Sequence, residues 1–473
     1  MARRRQVDLV RRLLEQNASA AIDAPGPAQS LGPTASFCES VQAAVDSLPL
    51  NGRHGLVFAL CGAGLFFESL NLQVMSFVAP MIAREWHIGA TLLGTVLSAA
   101  IMGMIVGTYL FGAIADRSGR RLTFQLTVGI FSVLTALSGA STALWQLALA
   151  RFGAGVGIGG SIPVETAVLA EFTPVRWRGR VMAIWAMALP LGAFAAPFSV
   201  SLMPASLGWR GLLFLGGLPV ALLFVLRRTI PETPQYLASK QRVAETNRAL
   251  QWIARRPMTI AYRHVGSQAR PTFPVNPEGV LFDPAHRRST AMSWMIYFGS
   301  FFGYYGFVLW LPTLLGTYLG LERPQVLHFM LGLALAGLLG RIVVLVMADR
   351  ADRRRLIMLC AASAVIALVG FAMQTQYALM LAWGYAAAFF LEGIFSVVIP
   401  FVAELYPASA RASGVGWAGG MGRIGMALAP LAVGLLVQLD VRVAIGSLAL
   451  GPLLSVIATC VEQRVAGVGA PVE

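Results

Sequence analysis

The chain reads as an all-α membrane protein with twelve transmembrane helices in two six-helix halves. Three observations predict this. The composition is 57% hydrophobic and only 12% charged, with a mean hydropathy of +0.69. A soluble domain carries roughly 25% charged residues, so the bilayer is the natural solvent. Apolar runs long enough to cross it occur six times, stop for a polar stretch, then occur six times more. Finally, a charged word recurs: "GAIADRSGRR" from Gly112 to Arg121 returns as "ADRADRR" from Ala348 to Arg354.

The elements follow in chain order. The start, "MARRR", lacks the apolar core of a signal peptide, because Arg11, Arg12 and Glu15 interrupt it. "APGPAQSLGP" reads as a flexible linker, after which Phe37, Val41, Val45 and Leu48 recur at helical spacing. That pattern predicts a short amphipathic helix lying on the membrane surface, within a cytoplasmic N-terminal segment over 1–53. A crossing helix needs about 20 apolar residues. Runs near 55–80, 90–114, 122–141, 145–171, 180–203 and 209–228 form the first half, 54–228. A polar cytoplasmic loop over 229–288 follows. Runs near 290–317, 325–348, 356–374, 377–403, 412–438 and 441–461 form the second half, 289–461, before a tail over 462–473. Pro and Gly inside these runs are compatible with helices, because neighbouring helices re-satisfy the backbone. Cysteines 38, 61, 360 and 460 show no metal-ligand spacing and read as small packing residues.

Orientation comes from the basic residues. Lys and Arg number 36 against 22 Asp and Glu. In a soluble protein that excess points to nucleic acid; here it supplies the positive-inside signal, and no nucleic-acid partner is expected. Arg117, Arg120 and Arg121, then Arg176, Arg178 and Arg180, then Arg350, Arg353, Arg354 and Arg355 fall in alternate loops, and many more in 229–288. The opposite loops hold little beyond Arg84, Arg210, Arg323 and Arg442. Both termini are therefore expected in the cytoplasm. The recurrence is in register. One offset carries Asp116-Arg117 to Asp349-Arg350, and the same offset carries Glu171, Pro174 and Arg178 in "AEFTPVRWR" to Glu404, Pro407 and Arg411 in "AELYPASAR". Two words in one register argue for an internal repeat of six helices. Parallel repeats of this kind, related by an axis along the membrane normal, describe known transporters.

Those residues carry a resemblance. "GAIADRSGRR" resembles the loop 2–3 signature of the major facilitator superfamily, and "RFGAGVGIGG" from Arg151 to Gly160 its fourth-helix signature. "PETPQYL" is similar to the sugar-porter P-E-S-P-R-x-L, with Gln235 where Arg is usual. "LPLNGRHGLVFALCGAGLFFESLNLQV", "FFGYYGFVLWLPTLL" and "AELYPASARASGVGWAGGMGRIG" resemble the metabolite:proton symporters, a subgroup that includes niacin-type and aromatic-acid transporters. The resemblance spans roughly 47–461. It implies the major facilitator fold, alternating access, a bacterial inner-membrane location, a proton as coupling ion with no other cofactor, a small-molecule substrate and a monomer in lipid. Glu68 matches the first acid of the subgroup's first-helix pattern; the second has become Asn71, one turn on along the same face.

The candidate residues follow from where charge sits. Asp116, Arg117, Arg120 and Arg121, with Glu171 and Arg178, are expected to form a gating network at the cytoplasmic ends of the helices. Asp349, Arg350, Glu404 and Arg411 repeat it, with Asp352 in place of the glycine, so the second turn is expected to differ. The acids add nothing to a topology signal, and a switchable charge network is a bistable element. Gly153, Gly155, Gly157, Gly159 and Gly160 are expected to form a small-residue face for close helix packing. Charge deep in a span is costly and usually functional. This singles out Glu68, Arg151, Glu165, Glu392 and Arg423. Arg151 and Glu165 share a face but stand about 21 Å apart along their helix, so each needs another partner. Arg341 lies nearer the cytoplasmic end, where snorkelling is expected. Arg423 is expected to meet an anionic substrate, and Glu68, or else Glu165 or Glu392, to carry a proton. Tyr304 and Tyr305, with Phe67, Trp310 and Trp417, are offered as walls for a ring-shaped ligand.

Other classes fit less well. The fifth run, "MALPLGAFAAPFSVSLMP", does not match the antiporter signature of drug exporters, and a sugar porter has no need of a mid-membrane Arg423. A membrane enzyme needs convergent catalytic groups. The five histidines, at 54, 87, 264, 286 and 328, sit at span ends or in loops, with no nucleophile or metal constellation around them.

Overall fold

The computed structural model describes residues 33–203, 207–260, 277–348, 350–407 and 410–466. The twelve expected crossings are all there as helices long and apolar enough to span a bilayer. A short α1 (Pro33–Asp46) precedes the first half: α2 (Gly52–Trp86), α3 (Ala90–Ser118), α4 (Arg120–Gly139), α5 (Leu144–Phe172), the pair α6 (Val175–Ala186) and α7 (Ala188–Leu202), and the pair α8 (Gly208–Leu215) and α9 (Val220–Thr229). The central segment folds α10 (Pro234–Ser239), α11 (Val243–Ala254) and α12 (Pro277–Phe282). The second half is α13 (Arg287–Thr313), α14 (Arg323–Ala348), α15 (Arg353–Met373), α16 (Tyr377–Glu404), α17 (Arg411–Leu436), and the pair α18 (Val441–Ser447) and α19 (Leu450–Ala466). α6 and α7 form one crossing, interrupted at Met187. Pro190, just beyond, has no N–H to close the helical bond across that point.

The helices assemble by close approach in both halves; a Cβ on Gly340 would lie 2.1 Å from the carbonyl oxygen of Phe389. A Cβ on Gly155 would lie 1.8 Å from the carbonyl oxygen of Ala100, so α3 and α5 touch backbone to backbone. The glycines of α5 do not make a single face. Gly155 and Gly159 meet α3, whereas Gly153 and Gly157 meet α4. A step of two residues turns a helix by about 200°, so alternate glycines serve two neighbours.

α1 corrects one expectation. Phe37, Val41 and Val45 are fully buried against Ala238 and Leu250 of the central segment. The amphipathic face is covered by protein, not by lipid, because α10 and α11 offer a matching apolar surface. Asn51 ties this layer down: its side chain caps α2 and donates to the Ile253 carbonyl at 2.7 Å.

The two halves are joined at one end. Gln438 Nε2 donates to Thr91 Oγ1 at 2.6 Å, Ser98 Oγ to the Ala427 carbonyl at 2.7 Å, and Arg323 Nη2 to the Val200 carbonyl at 3.3 Å. The largest apolar cluster closes the same end, with Val78, Ile82 and Leu93 packed among Trp310, Leu314 and Val433. Among the described residues no hydrogen bond joins the halves at the end that carries the central segment. There α3 and α17 flank an open cleft of about 200 Å³ that Tyr109, Trp417 and Arg423 help to line.

Candidate functional site

Two polar clusters occupy the interior, one in each half. In the first half, Glu68 of α2 accepts a hydrogen bond from Ser161 of α5. Glu165, one turn further along α5, accepts from Trp185 Nε1 at 3.1 Å and lies close enough to Glu68 for the two carboxyls to interact. Asn71 holds Arg151 instead: its Oδ1 accepts from Arg151 Nη1 at 2.8 Å, while its Nδ2 donates to Thr135 at 2.7 Å. Arg151 and Glu165 thus find separate partners, as their separation requires. Glu68, Arg151 and Glu165 are all buried within the helix bundle. Nε and Nη2 of Arg151 have no hydrogen-bond partner among the described residues.

The second half places its charges on the surface that faces the first. Between α2 and α7 on one side and α13, α14 and α16 on the other lies a narrow cavity of about 20 Å³, room for roughly one water. Gln73, Phe77, Pro190, Tyr304, Met330 and Glu392 are among its walls. Glu392 is not alone. Its Oε2 accepts from both Arg341 Nη2 at 2.6 Å and Arg341 Nε at 3.0 Å. This corrects the expectation of snorkelling: a carboxylate on the adjacent helix holds the guanidinium at depth, and the side chains are only 14% and 7% exposed. Ser396, one turn after Glu392, fixes the backbone by donating to the Arg341 carbonyl at 2.8 Å. Tyr304 and Tyr305 lie in the field of this pair. On the far side of Tyr305 stands Arg423, near Tyr109 and Tyr297 as well. Among the described residues Arg423 has no carboxylate partner.

The aromatic expectations divide. Tyr304 and Tyr305 are at the site. Trp310 is buried in helix packing, with Nε1 donating to the Pro430 carbonyl at 3.0 Å. Trp417 stacks on Trp294 at 5.9 Å beside the outer cleft. Phe67 packs edge-on against Phe66.

The charged words occupy the end that carries the central segment. Arg120 Nη1 pairs with Asp116 at 2.8 Å and Arg120 Nε with Glu171 at 3.0 Å. Thr233 Oγ1 donates to the second oxygen of Glu171 at 2.5 Å. Glu232, from the "PETPQYL" word, caps α4. Its Oε1 accepts from the backbone of Arg120 at 2.9 Å and Arg121 at 3.1 Å. Burial pushes the Glu232 carboxyl up, against the downward pull of the N–H groups of Thr233, Arg121 and Arg120. Gly119 makes room for it. Its φ is +102°, and a Cβ there would lie 2.2 Å from Glu232 Oε2. Arg117 presents its carbonyl to Tyr236 OH at 2.7 Å, and Arg121 donates to the Arg227 carbonyl.

The repeat holds in three dimensions, with a correction. The offset that carries Glu171 to Glu404 also carries Arg120 to Arg353, and Arg353 is the residue that pairs with Glu404. Arg178 and Arg411 do not close these networks. Arg178 reaches the Thr173 carbonyl at 3.5 Å and Arg411 the Ala403 carbonyl at 2.9 Å. Each cation sits just past a helix end and turns to the carbonyls left there, which attract positive charge. Arg350 is exposed, and Asp349 lies outside the described residues. Asp352 confirms the different turn: its φ is −59°, and its own side chain caps α15 by accepting from Arg354 N at 3.0 Å.

A model of the Major Facilitator Superfamily matches residues 61–377 and 294–467. The chain belongs to the Major Facilitator Superfamily. Among similar proteins of the superfamily, the 4-hydroxybenzoate transporter PcaK of Pseudomonas aeruginosa is 32% identical over 82% of this chain and 87% of its own. The niacin transporter NiaP of Acinetobacter baylyi is 29% identical over 82% and 88%. In three dimensions the chain is similar to the xylose transporter XylE of E. coli in a partially occluded inward-open conformation. The TM-score is 0.69 at 15% identity, covering 89% of this chain and 100% of that one, a likeness of fold. This superfamily member is therefore a transporter and not an enzyme, an integral multi-pass protein of the bacterial inner membrane.

Proposed function

We propose that this transporter takes up a small organic anion, a ring carboxylate, together with protons, by alternating access between its two halves. The observation that carries the reading is Arg423. A guanidinium with no carboxylate partner among the described residues, flanked by tyrosines, stands on the face between the halves. Buried charge of this kind needs a counter-ion, and an anionic substrate supplies one. The named substrates of the two relatives, 4-hydroxybenzoate and niacin, are both ring carboxylic acids, which supports the class. A buried carboxyl costs least when neutral, so Glu68, Glu165 and Glu392 are the groups able to carry a proton across.

In this reading the end carrying the central segment faces the cytoplasm and is the open end. Closing it brings α3 and α17 together. The network of Asp116, Arg117, Arg120, Arg121 and Glu171, and its repeat at Asp349, Arg350, Arg353 and Glu404, exchange partners as it closes. Arg178 and Arg411 hold the neighbouring helix ends. The deciding experiment is uptake into proteoliposomes with an inward proton gradient, using labelled benzoate, 4-hydroxybenzoate, nicotinate and a sugar panel. Accumulation of a ring carboxylate that collapses with the gradient is expected. Accumulation of a neutral sugar alone would overturn the anion assignment, and accumulation unaffected by the gradient would overturn the coupling.

A further inference from the structure

The Arg341–Glu392 pair is oddly placed for a structural ion pair. Its acid reaches the wall of the narrow cavity between the halves, where Glu392 stands with Tyr304 and Gln73, and Arg341 lies directly behind that acid. It is also not demanded by the fold. The offset of the repeat carries Arg341 back to Thr108 and Glu392 back to Gly159. There Thr108 Oγ1 donates to the Gly159 carbonyl at 2.9 Å, a neutral bond that joins the same two helices in the other half. The first half does with one uncharged hydrogen bond what the second does with a buried cation and a buried anion. Replacing a buried ion pair by neutral groups is commonly no loss to stability, so the charge at Arg341 and Glu392 asks for another explanation.

We propose that Arg341 binds the substrate carboxylate and that Glu392 is the internal stand-in for it, so that one guanidinium is shared between two competing carboxylates. This rests on the anion reading above. Without substrate, Glu392 satisfies Arg341 through one oxygen, Oε2, which takes both N–H bonds. When a proton from the aqueous side converts the Glu392 carboxylate to the acid, the guanidinium loses its counter-charge. The cavity then widens beside Glu392, and the substrate carboxylate takes the two N–H bonds. On release the proton leaves Glu392 and the pair closes again. One anion and one proton move together, and the cation has a carboxylate partner both before and after the exchange. The charged and titratable groups around Glu392 are Arg341 from α14 and Tyr304 and Tyr305 from α13; α2 contributes the neutral Gln73. Arg423, which also stands near Tyr305, is the first counter-ion the anion meets before it passes to Arg341.

The test uses the ring carboxylate that the wild type accumulates, with binding measured across a pH series and transport measured two ways: exchange without a gradient and accumulation with one. Wild-type binding should tighten as pH falls. In Glu392→Gln the competitor is gone, so binding and exchange persist, binding no longer depends on pH, and accumulation is lost. Arg341→Lys keeps the charge without the planar fork and should weaken binding about 10–100-fold, the worth of a paired charge-assisted hydrogen bond. The double variant Arg341→Gln with Glu392→Gln restores a neutral pair like that of the other half. It should remain monodisperse yet bind nothing. If the double variant binds and accumulates like the wild type, the pair is structural and the proposal is wrong. pH-dependent binding that survives in Glu392→Gln also overturns it. Should the wild type accumulate no ring carboxylate at all, the anion reading itself falls, and this inference with it.

Discussion

The two halves are built on one repeat, yet they place their charge differently. In the first half the carboxyls of Glu68 and Glu165 and the guanidinium of Arg151 lie inside the bundle, bonded to Ser161, Trp185 and Asn71. In the second half Arg341, Glu392 and Arg423 stand toward the space between the halves. The equivalent hydrogen bond is neutral in one, Thr108 to Gly159, and ionic in the other. Helix ends differ as well: α4 borrows Glu232 from the central segment, whereas α15 is capped by its own Asp352. A shared scaffold therefore fixes where helices lie, and the choice of a few side chains decides where charge is placed in each half.

The largest expected effect comes at one matched point of the packing, glycine in the first half and alanine in the second. Gly155→Ala puts a methyl group against the Ala100 carbonyl, where the gap is 1.8 Å. The first half should fail to assemble, and monodisperse protein should be lost from size-exclusion profiles. The repeat places Ala388 at the matching point of the second half, and Ala388→Gly should cost only about 1 kcal/mol, the helix penalty of glycine. Wild-type yield of Gly155→Ala would show that close approach does not hold this half.

The next concerns the acids. If the ligand-facing half carries the coupling, Glu68→Gln keeps most gradient-driven accumulation, because an amide still accepts the Ser161 bond. The same change at Glu392 should abolish accumulation. The reverse ranking would move the proton to the first half and to Glu68 or Glu165.

A smaller effect separates the two copies of the charged word. Arg120 is 17% exposed and bonded to both Asp116 and Glu171, whereas Glu404, the partner of Arg353, is 59% exposed. Arg120→Ala should lower stability by about 1.5–3 kcal/mol, the range for hydrogen bonds to charged groups. Arg353→Ala should cost about 0.2–1 kcal/mol, as exposed pairs do. Thermal unfolding in detergent measures both, and equal shifts would mean that the copies are equivalent.

The smallest concerns the caps. Burial raises the Glu232 carboxyl, so the folded state binds that proton more tightly than the unfolded chain. The contribution of this group to stability should then increase as pH falls from the raised value toward the ordinary carboxylate value. Glu232→Gln, which still accepts the N–H bonds, should shift the melting temperature little and flatten that dependence.

Much of the architecture was legible in the sequence. The twelve crossings follow from run length and hydropathy, because a bilayer admits few alternatives to helices. The repeat was readable from "GAIADRSGRR" and "AEFTPVRWR" alone, and so was the incapacity of Arg151 and Glu165 to pair, which follows from helical rise. Partners were not legible. That Arg353 and not Arg411 meets Glu404, that Arg341 pairs with Glu392 instead of reaching for the interface, and that α1 packs on α10 and α11 instead of lipid depend on which helices become neighbours. Composition and periodicity report how a segment relates to its solvent. They carry no information on which of several buried faces will meet, and a side chain's role is set by the group that lies within hydrogen-bond reach once those faces have packed.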